Sequence, residues 1–138
     1  MPEAVSRIRV RYVETDQMGI VHHSAYLAWL EVARTDSLRQ RGLPYAELEK
    51  MGVQMPVLGI QVDYIRPALY DDEIVVVARL VKATPVRFTF SYEVRRGDTH
   101  GELLCRGETR HAAVGPEGRP RRLQKDILER IGGHVEHP

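Results

Sequence analysis

The segment from Ala25 to Gln40 constrains the fold more than any other part of the chain. Its first half carries Tyr26, Leu27, Trp29, Leu30, Val32 and Ala33 around nearly the whole helical circumference, interrupted only by Glu31. A helix apolar on so many sides must be covered on most of them. Ser24 is a suitable N-cap. The second half turns polar at Arg34, Thr35, Asp36, Arg39 and Gln40, and Gly42 supplies a stop. One buried helix of this length needs a sheet wrapped around it.

The remaining sequence supplies strands. Residues Val5 to Val13 alternate, with Ile8, Val10 and Tyr12 expected on the inner face. Leu58, Ile60, Val62 and Tyr64 alternate up to a stop at Arg66-Pro67. Ile74 to Val81 is almost continuously apolar, as in a central strand, and Thr84-Pro85 marks a turn. Val86, Phe88, Phe90, Tyr92 and Val94 alternate with polar residues. Glu102 to Val114 forms the last strand, with a bulge expected at Gly107. Tyr45 to Met51 reads as a short helix and Leu123 to Ile131 as a terminal one, with a frayed tail from Gly132 to Pro138. Short turns join most strands, which implies antiparallel neighbours. The expected class is α+β: one five-stranded antiparallel sheet curled about one long helix, in a single domain over residues 1–138 with a core at about 5–114.

Composition narrows the function. With 138 residues and 43% hydrophobic content the chain can bury a core of its own. No apolar run reaches the ~20 residues needed to span a bilayer, and the N-terminus lacks the apolar centre of a signal peptide. A cytoplasmic location is expected. Cys105 is the one cysteine, so no intramolecular disulfide forms, and burial as an inert thiol is expected. A net charge of +1 gives no bulk drive toward nucleic acid.

Between the first strand and the long helix lies Tyr12-Val13-Glu14-Thr15-Asp16-Gln17-Met18-Gly19-Ile20-Val21-His22-His23-Ser24-Ala25-Tyr26. A helix N-terminus offers unpaired N–H groups and a partial positive charge. A carboxylate close to such donors can serve attack on an acyl carbonyl. Asp16 is that carboxylate; its dull alternative is an Asp that bonds its own turn. An ordinary Asp is ionised at neutral pH and can act as nucleophile or base. Asp16, His22 and His23 lack a further ligand at supporting spacing, so no metal site is expected. Glu31 lies within an apolar helical face; if buried it needs a partner, which Arg34 or Thr35 one turn on would supply, and a second catalytic carboxylate is the alternative reading.

The stretch resembles the hotdog-fold acyl-CoA thioesterases of the 4-hydroxybenzoyl-CoA thioesterase type, in particular the branch found with bacterial Tol–Pal gene clusters. The shared pattern is Tyr12, Thr15-Asp16, Gly19, Ile20-Val21, His22-His23 and Tyr26, continuing through Trp29, Glu31, Ala33 and Arg34. The resemblance implies acyl-CoA hydrolysis to free acid and CoA without a cofactor, CoA entering as part of the substrate. It places the catalytic carboxylate on Asp16 and the oxyanion-binding backbone N–H on His23. Gly19, Val21, His22 and Tyr26 become candidate substrate-lining residues, His22 departing from the Tyr common in relatives. Lys82 and Arg87, beside the Thr84-Pro85 turn, are candidate contacts for the CoA phosphates, with Arg119, Arg121 and Arg122 as a further cluster. A homodimer or homotetramer is implied, with the acyl pocket at a subunit boundary. The alternative is an acyl-CoA or acyl-carrier-protein binding module without turnover.

Overall fold

A computed structural model describes residues 3–132. The elements run β1 (Glu3–Arg9), α1 (His23–Gln40), α2 (Tyr45–Lys50), β2 (Val57–Tyr64), β3 (Glu73–Ala83), β4 (Arg87–Arg96), β5 (Leu103–Ala112) and α3 (Lys125–Gly132), with a 3-10 turn at Tyr12–Glu14 between β1 and α1. All five strands form one antiparallel sheet in the order β1-β3-β4-β5-β2. It is an open sheet carrying one long helix, as the pattern of one apolar helix and four short-turn strands requires. The expected fraying of the tail concerns residues beyond Gly132, outside those described.

Alternation sets the core. Phe88, Phe90, Tyr92 and Val94 of β4 are all buried beneath α1 together with Ile74, Val76, Ala78 and Leu80 of β3. The run through β3 is apolar on both faces because Val75 and Val77 are buried as well. On that second face Arg7 and Arg95 lie directly across from Val75 and Glu93 from Val77, so long side chains can lie over the apolar strand.

Three expectations need correction. The first strand ends at Arg9, and Tyr12 stands 77% exposed on the 3-10 turn because the chain leaves the sheet before the alternation runs out. Helix α1 is covered on one side only: Tyr26, Trp29, Leu30, Ala33, Ser37 and Leu38 are buried, while Leu27 and Val32 are exposed. A single sheet cannot enclose a helix, so residues off its inward stripe remain outside. Glu31 is among them, and among the described residues it forms no ion pair. Gly107 pairs regularly with Tyr92 and Val62 and marks no bulge. The irregularities fall instead near Val57–Gly59, Leu80–Lys82 and Val94–Arg95.

A chain of polar groups threads the core beneath α1. Arg34 Nη1 lies 3.2 Å from the Tyr92 hydroxyl, which is 2.7 Å from Thr109 Oγ1. Thr109 Oγ1 is 2.8 Å from His111 Nε2, and His111 Nδ1 is 3.2 Å from the Met55 carbonyl. A carbonyl only accepts, so Nδ1 carries the proton and Nε2 accepts from Thr109. Thr109 then accepts from Tyr92, and Tyr92 from Arg34. Every member of this sequence has one consistent direction.

Candidate active site

The loop between β1 and α1 is closed at its base by backbone pairing. The His22 N–H donates to the Glu14 carbonyl at 2.8 Å, Thr15 bridges Val21, and the Asp16 N–H donates to the Ile20 carbonyl at 2.9 Å. Inside this base Gly19 N–H returns to the Asp16 carbonyl at 3.0 Å, with Gly19 at φ +79°. That left-handed conformation favours glycine, and it lets the turn reverse within four residues. Val21 N–H reaches across to the Ala68 carbonyl at 2.9 Å and Ile20 bridges Leu69, fastening the loop to the connection between β2 and β3.

Asp16 forms the turn bond and also borders a cleft. Its Oδ1 accepts the Met18 N–H at 2.8 Å, the turn-forming arrangement, while among the described residues Oδ2 accepts nothing. The carboxyl borders a cleft of about 380 Å³ lined also by Ile20, Val21, His22, His23, Tyr26, Tyr64, Ile65, Arg66 and Pro67. Five of the expected residues therefore share this cleft: Asp16, Val21, His22, His23 and Tyr26. Gly19 shapes the turn without lining it.

The helix begins two residues earlier than the Ser24 cap implies. His22 is the N-cap, its Nδ1 accepting the Ser24 N–H at 3.2 Å and lying 2.8 Å from the Ser24 hydroxyl. Ala25 N–H is taken by the His22 carbonyl at 3.0 Å. Of the first helical N–H groups, that of His23 is left without an acceptor among the described residues. The His22 and His23 rings lie with centroids 4.2 Å apart and their planes tilted by 32°. The cleft is thus lined both by the residue whose carboxylate keeps one oxygen without a donor and by the residue whose helix-tip N–H is unsatisfied.

Sequence reasoning missed the opposite wall. Tyr64, at the end of β2, donates its hydroxyl to the His23 carbonyl at 2.9 Å and packs edge-on against the His23 and Tyr26 rings. The Tyr26 hydroxyl in turn accepts the Ala68 N–H at 3.1 Å. Burial pushes the Tyr26 and Tyr64 phenols above their ordinary pKa, so both remain protonated. Arg66 brings a guanidinium to the cleft, 3.4 Å from Glu102. The Arg66-Pro67 strand stop was the one sequence signal at this wall.

Glu14 was missed as well. It is 8% exposed, with Oε1 accepting the Arg11 N–H at 2.8 Å and Oε2 accepting the Trp29 indole N–H at 2.9 Å. Burial raises its pKa, but the Arg11 N–H, the indole and the Arg11 guanidinium together more than offset this, and the carboxyl sits below its ordinary value.

Lys82 and Arg87 lie elsewhere. Lys82 is near the end of β3 and Arg87 begins β4, whereas the loop bearing Asp16 follows Arg9, which pairs with Glu73 at the start of β3. Nine residues of strand separate the two ends, about 30 Å at the usual rise. Within one subunit they do not meet the cleft. Cys105 is fully buried, and burial pushes its thiol up to about 12, so it takes no part as a nucleophile. Among the described residues no group of three or more His, Cys, Asp or Glu side chains could hold a metal ion, and no helix is long and apolar enough to cross a membrane.

Known proteins give the geometry a context. A solved structure of a hypothetical protein from Thermus thermophilus is 40% identical, covering 98% of this chain and 100% of that one, with a TM-score of 0.89. The DHNA-CoA thioesterase structure from Staphylococcus aureus is 32% identical, covering 88% and 81%, with a TM-score of 0.83. The acyl-CoA thioester hydrolase YbgC of Escherichia coli O6:H1 is 30% identical over 122 residues, 88% of this chain and 90% of that protein. The thioesterase-like superfamily profile matches residues 10–131, from the last residues before the Asp16 loop through α3. With its open five-stranded sheet, its long helix and a carboxylate beside the helix tip, this chain belongs to the thioesterase-like superfamily and has the hotdog fold.

Proposed function

We propose that the protein hydrolyses acyl-CoA thioesters, with Asp16 as the catalytic carboxylate and the His23 N–H as the oxyanion donor. The observation that carries this reading is the pairing, on one cleft, of the free Asp16 Oδ2 with the acceptorless His23 N–H. A thioester carbonyl seated with its oxygen on that N–H becomes more electrophilic as negative charge develops on it. The helix N-terminus adds its partial positive charge at the same place.

Two routes keep the atoms balanced. In the first, Asp16 attacks the carbonyl carbon, the C–S bond breaks, CoA leaves as thiolate, and water then hydrolyses the mixed anhydride. In the second, Asp16 takes a proton from a water that attacks directly, and the proton passes to the departing thiolate. Both use the same two groups. No metal or redox cofactor enters either route. Such a substrate, with the chain's one thiol reduced and buried, suits a cytoplasmic setting.

The site is completed, in this reading, by a second copy of the chain. Strand β2 is a sheet edge, with Val57, Leu58, Ile60 and Tyr64 between 43% and 49% exposed. An apolar edge of eight residues invites pairing. Antiparallel pairing of β2 with its symmetry mate would reverse the partner's sheet, bringing its Lys82 and Arg87 end to the side of this subunit's cleft. The CoA phosphates would then meet cations from the partner rather than from the subunit that holds the thioester, whether in a dimer or a tetramer.

The decisive measurement is thiol release by Asp16→Asn from acetyl-, octanoyl- and benzoyl-CoA. Loss of turnover by roughly a thousandfold or more, with the fold retained, is expected from removing such a group. Near-normal turnover ends the assignment, and a wild-type protein that binds these thioesters without releasing thiol would be a binding module.

A further inference from the structure

The loop that presents Asp16 is secured to α1 by one buried side chain. Both carboxylate oxygens of Glu14 are occupied, one by the Arg11 N–H at the start of the 3-10 turn and one by the indole of Trp29. The Glu14 carbonyl receives the N–H of His22, the residue that caps α1. Asp16 lies two residues beyond Glu14, and His23 one residue beyond His22. The two groups proposed to act on the thioester thus diverge from a single fastening. Trp29 is itself fully buried and packed on Tyr26, with ring centroids 4.7 Å apart, so the indole cannot follow a loop that drifts.

We propose that Glu14 is the positioning residue of this site, fixing the Asp16 turn against the helix tip through Trp29. It touches no substrate. Its action is to set the separation between the Asp16 carboxyl and the His23 N–H. This rests on the acyl thioester reading above.

The chemistry of the joint calls for a carboxylate. The Arg11 backbone N–H and the Trp29 indole N–H converge on its two oxygens from different elements, with the Arg11 guanidinium also 3.4 Å from Oε2, and only a carboxylate offers two acceptor oxygens. A glutamine in the same place would turn its NH₂ toward either the Arg11 N–H or the indole, leaving a buried donor facing a donor. The loop then gains freedom to shift relative to α1. A displacement near 1 Å of a catalytic group can cost about a hundredfold in rate.

The test compares Glu14→Gln, Trp29→Phe and the double variant on octanoyl-CoA, with Asp16→Asn alongside. Each single variant is expected to lower kcat by roughly tenfold to a hundredfold, with KM within about threefold of the parent. The double variant is expected to fall no more than about threefold below the poorer single one, since both break the same bond. Trp29→Phe keeps the ring volume and removes only the N–H, so it decides the matter if Glu14→Gln does not fold. Parent-like kcat in the folded single variants, or independent multiplicative losses in the double variant, overturns the proposal while an inactive Asp16→Asn leaves the catalytic reading standing. Turnover that survives in Asp16→Asn overturns both.

Discussion

Leu30 of α1 comes down directly on Gly107 of β5: a Cβ built on that glycine would lie 3.0 Å from Leu30 Cδ1. The missing side chain leaves room for Leu30, so the glycine has a packing role inside an otherwise regular strand. Leu30 is 1% exposed and has no room to withdraw. Gly107→Val is therefore expected to destabilise the fold by roughly 1–3 kcal/mol through overpacking, read as a lower urea midpoint. An unchanged midpoint would show that α1 can lift freely from β5.

His111 makes stability depend on pH. Burial holds its pKa down, to about 4 from 6.5, and the Arg34 charge adds to this, while the Met55 carbonyl opposes it. A depressed pKa means that below 6.5 the unfolded chain binds the proton more readily than the folded one. Stability is then full above that pH and falls as pH drops toward 4, by at most about 1.4 kcal/mol per pH unit. Glu14, whose pKa is lowered from 4.5, adds its own loss only below that value. Thermal melting between pH 7 and 4.5 should show the slope, and His111→Gln should flatten it.

The cap supplied by His22 predicts an order among variants. His22→Ala should cost about 1 kcal/mol of stability by leaving the Ser24 N–H uncapped, whereas His22→Asn, which keeps an acceptor at the cap, should recover most of it. Equal midpoints for the three proteins in urea would remove the imidazole from the account of the helix start.

Strand β2 gives a prediction about assembly. Ile60 is 48% exposed on a sheet edge. Ile60→Asp is expected to turn a dimer into monomers in analytical ultracentrifugation and to reduce turnover with it, since the proposed phosphate contacts come from the second copy. A parent-like sedimentation coefficient would move the interface elsewhere.

Much of this architecture was readable from spacing alone. Phe88, Phe90 and Tyr92 alternate with polar residues because one face of β4 lies under α1, and the Asp16 and His23 positions are close in sequence because a single loop holds both. The errors share a cause in tertiary placement. Glu31 sits among apolar neighbours in sequence, yet only one side of α1 is covered, and the buried carboxylate is Glu14, whose indole partner is fifteen residues on. Ser24 is the more usual capping residue, and the imidazole of His22 displaced it because the loop base fixes His22 at the helix entrance. Tyr64 and Arg66 reach the cleft only because β2 pairs with β5 at the sheet edge, a pairing no local pattern encodes. Lys82 and Arg87 lie at the end of the strands remote from the cleft, which their nearness to a turn in sequence does not reveal.

Trp29 is the chain's one tryptophan, and its indole N–H points at the loop that carries Asp16. Nature has thereby installed a lamp at the seam of the cleft: every photon of indole emission originates beside Glu14. Spectra recorded during ligand addition, with no dye attached, would watch that joint alone.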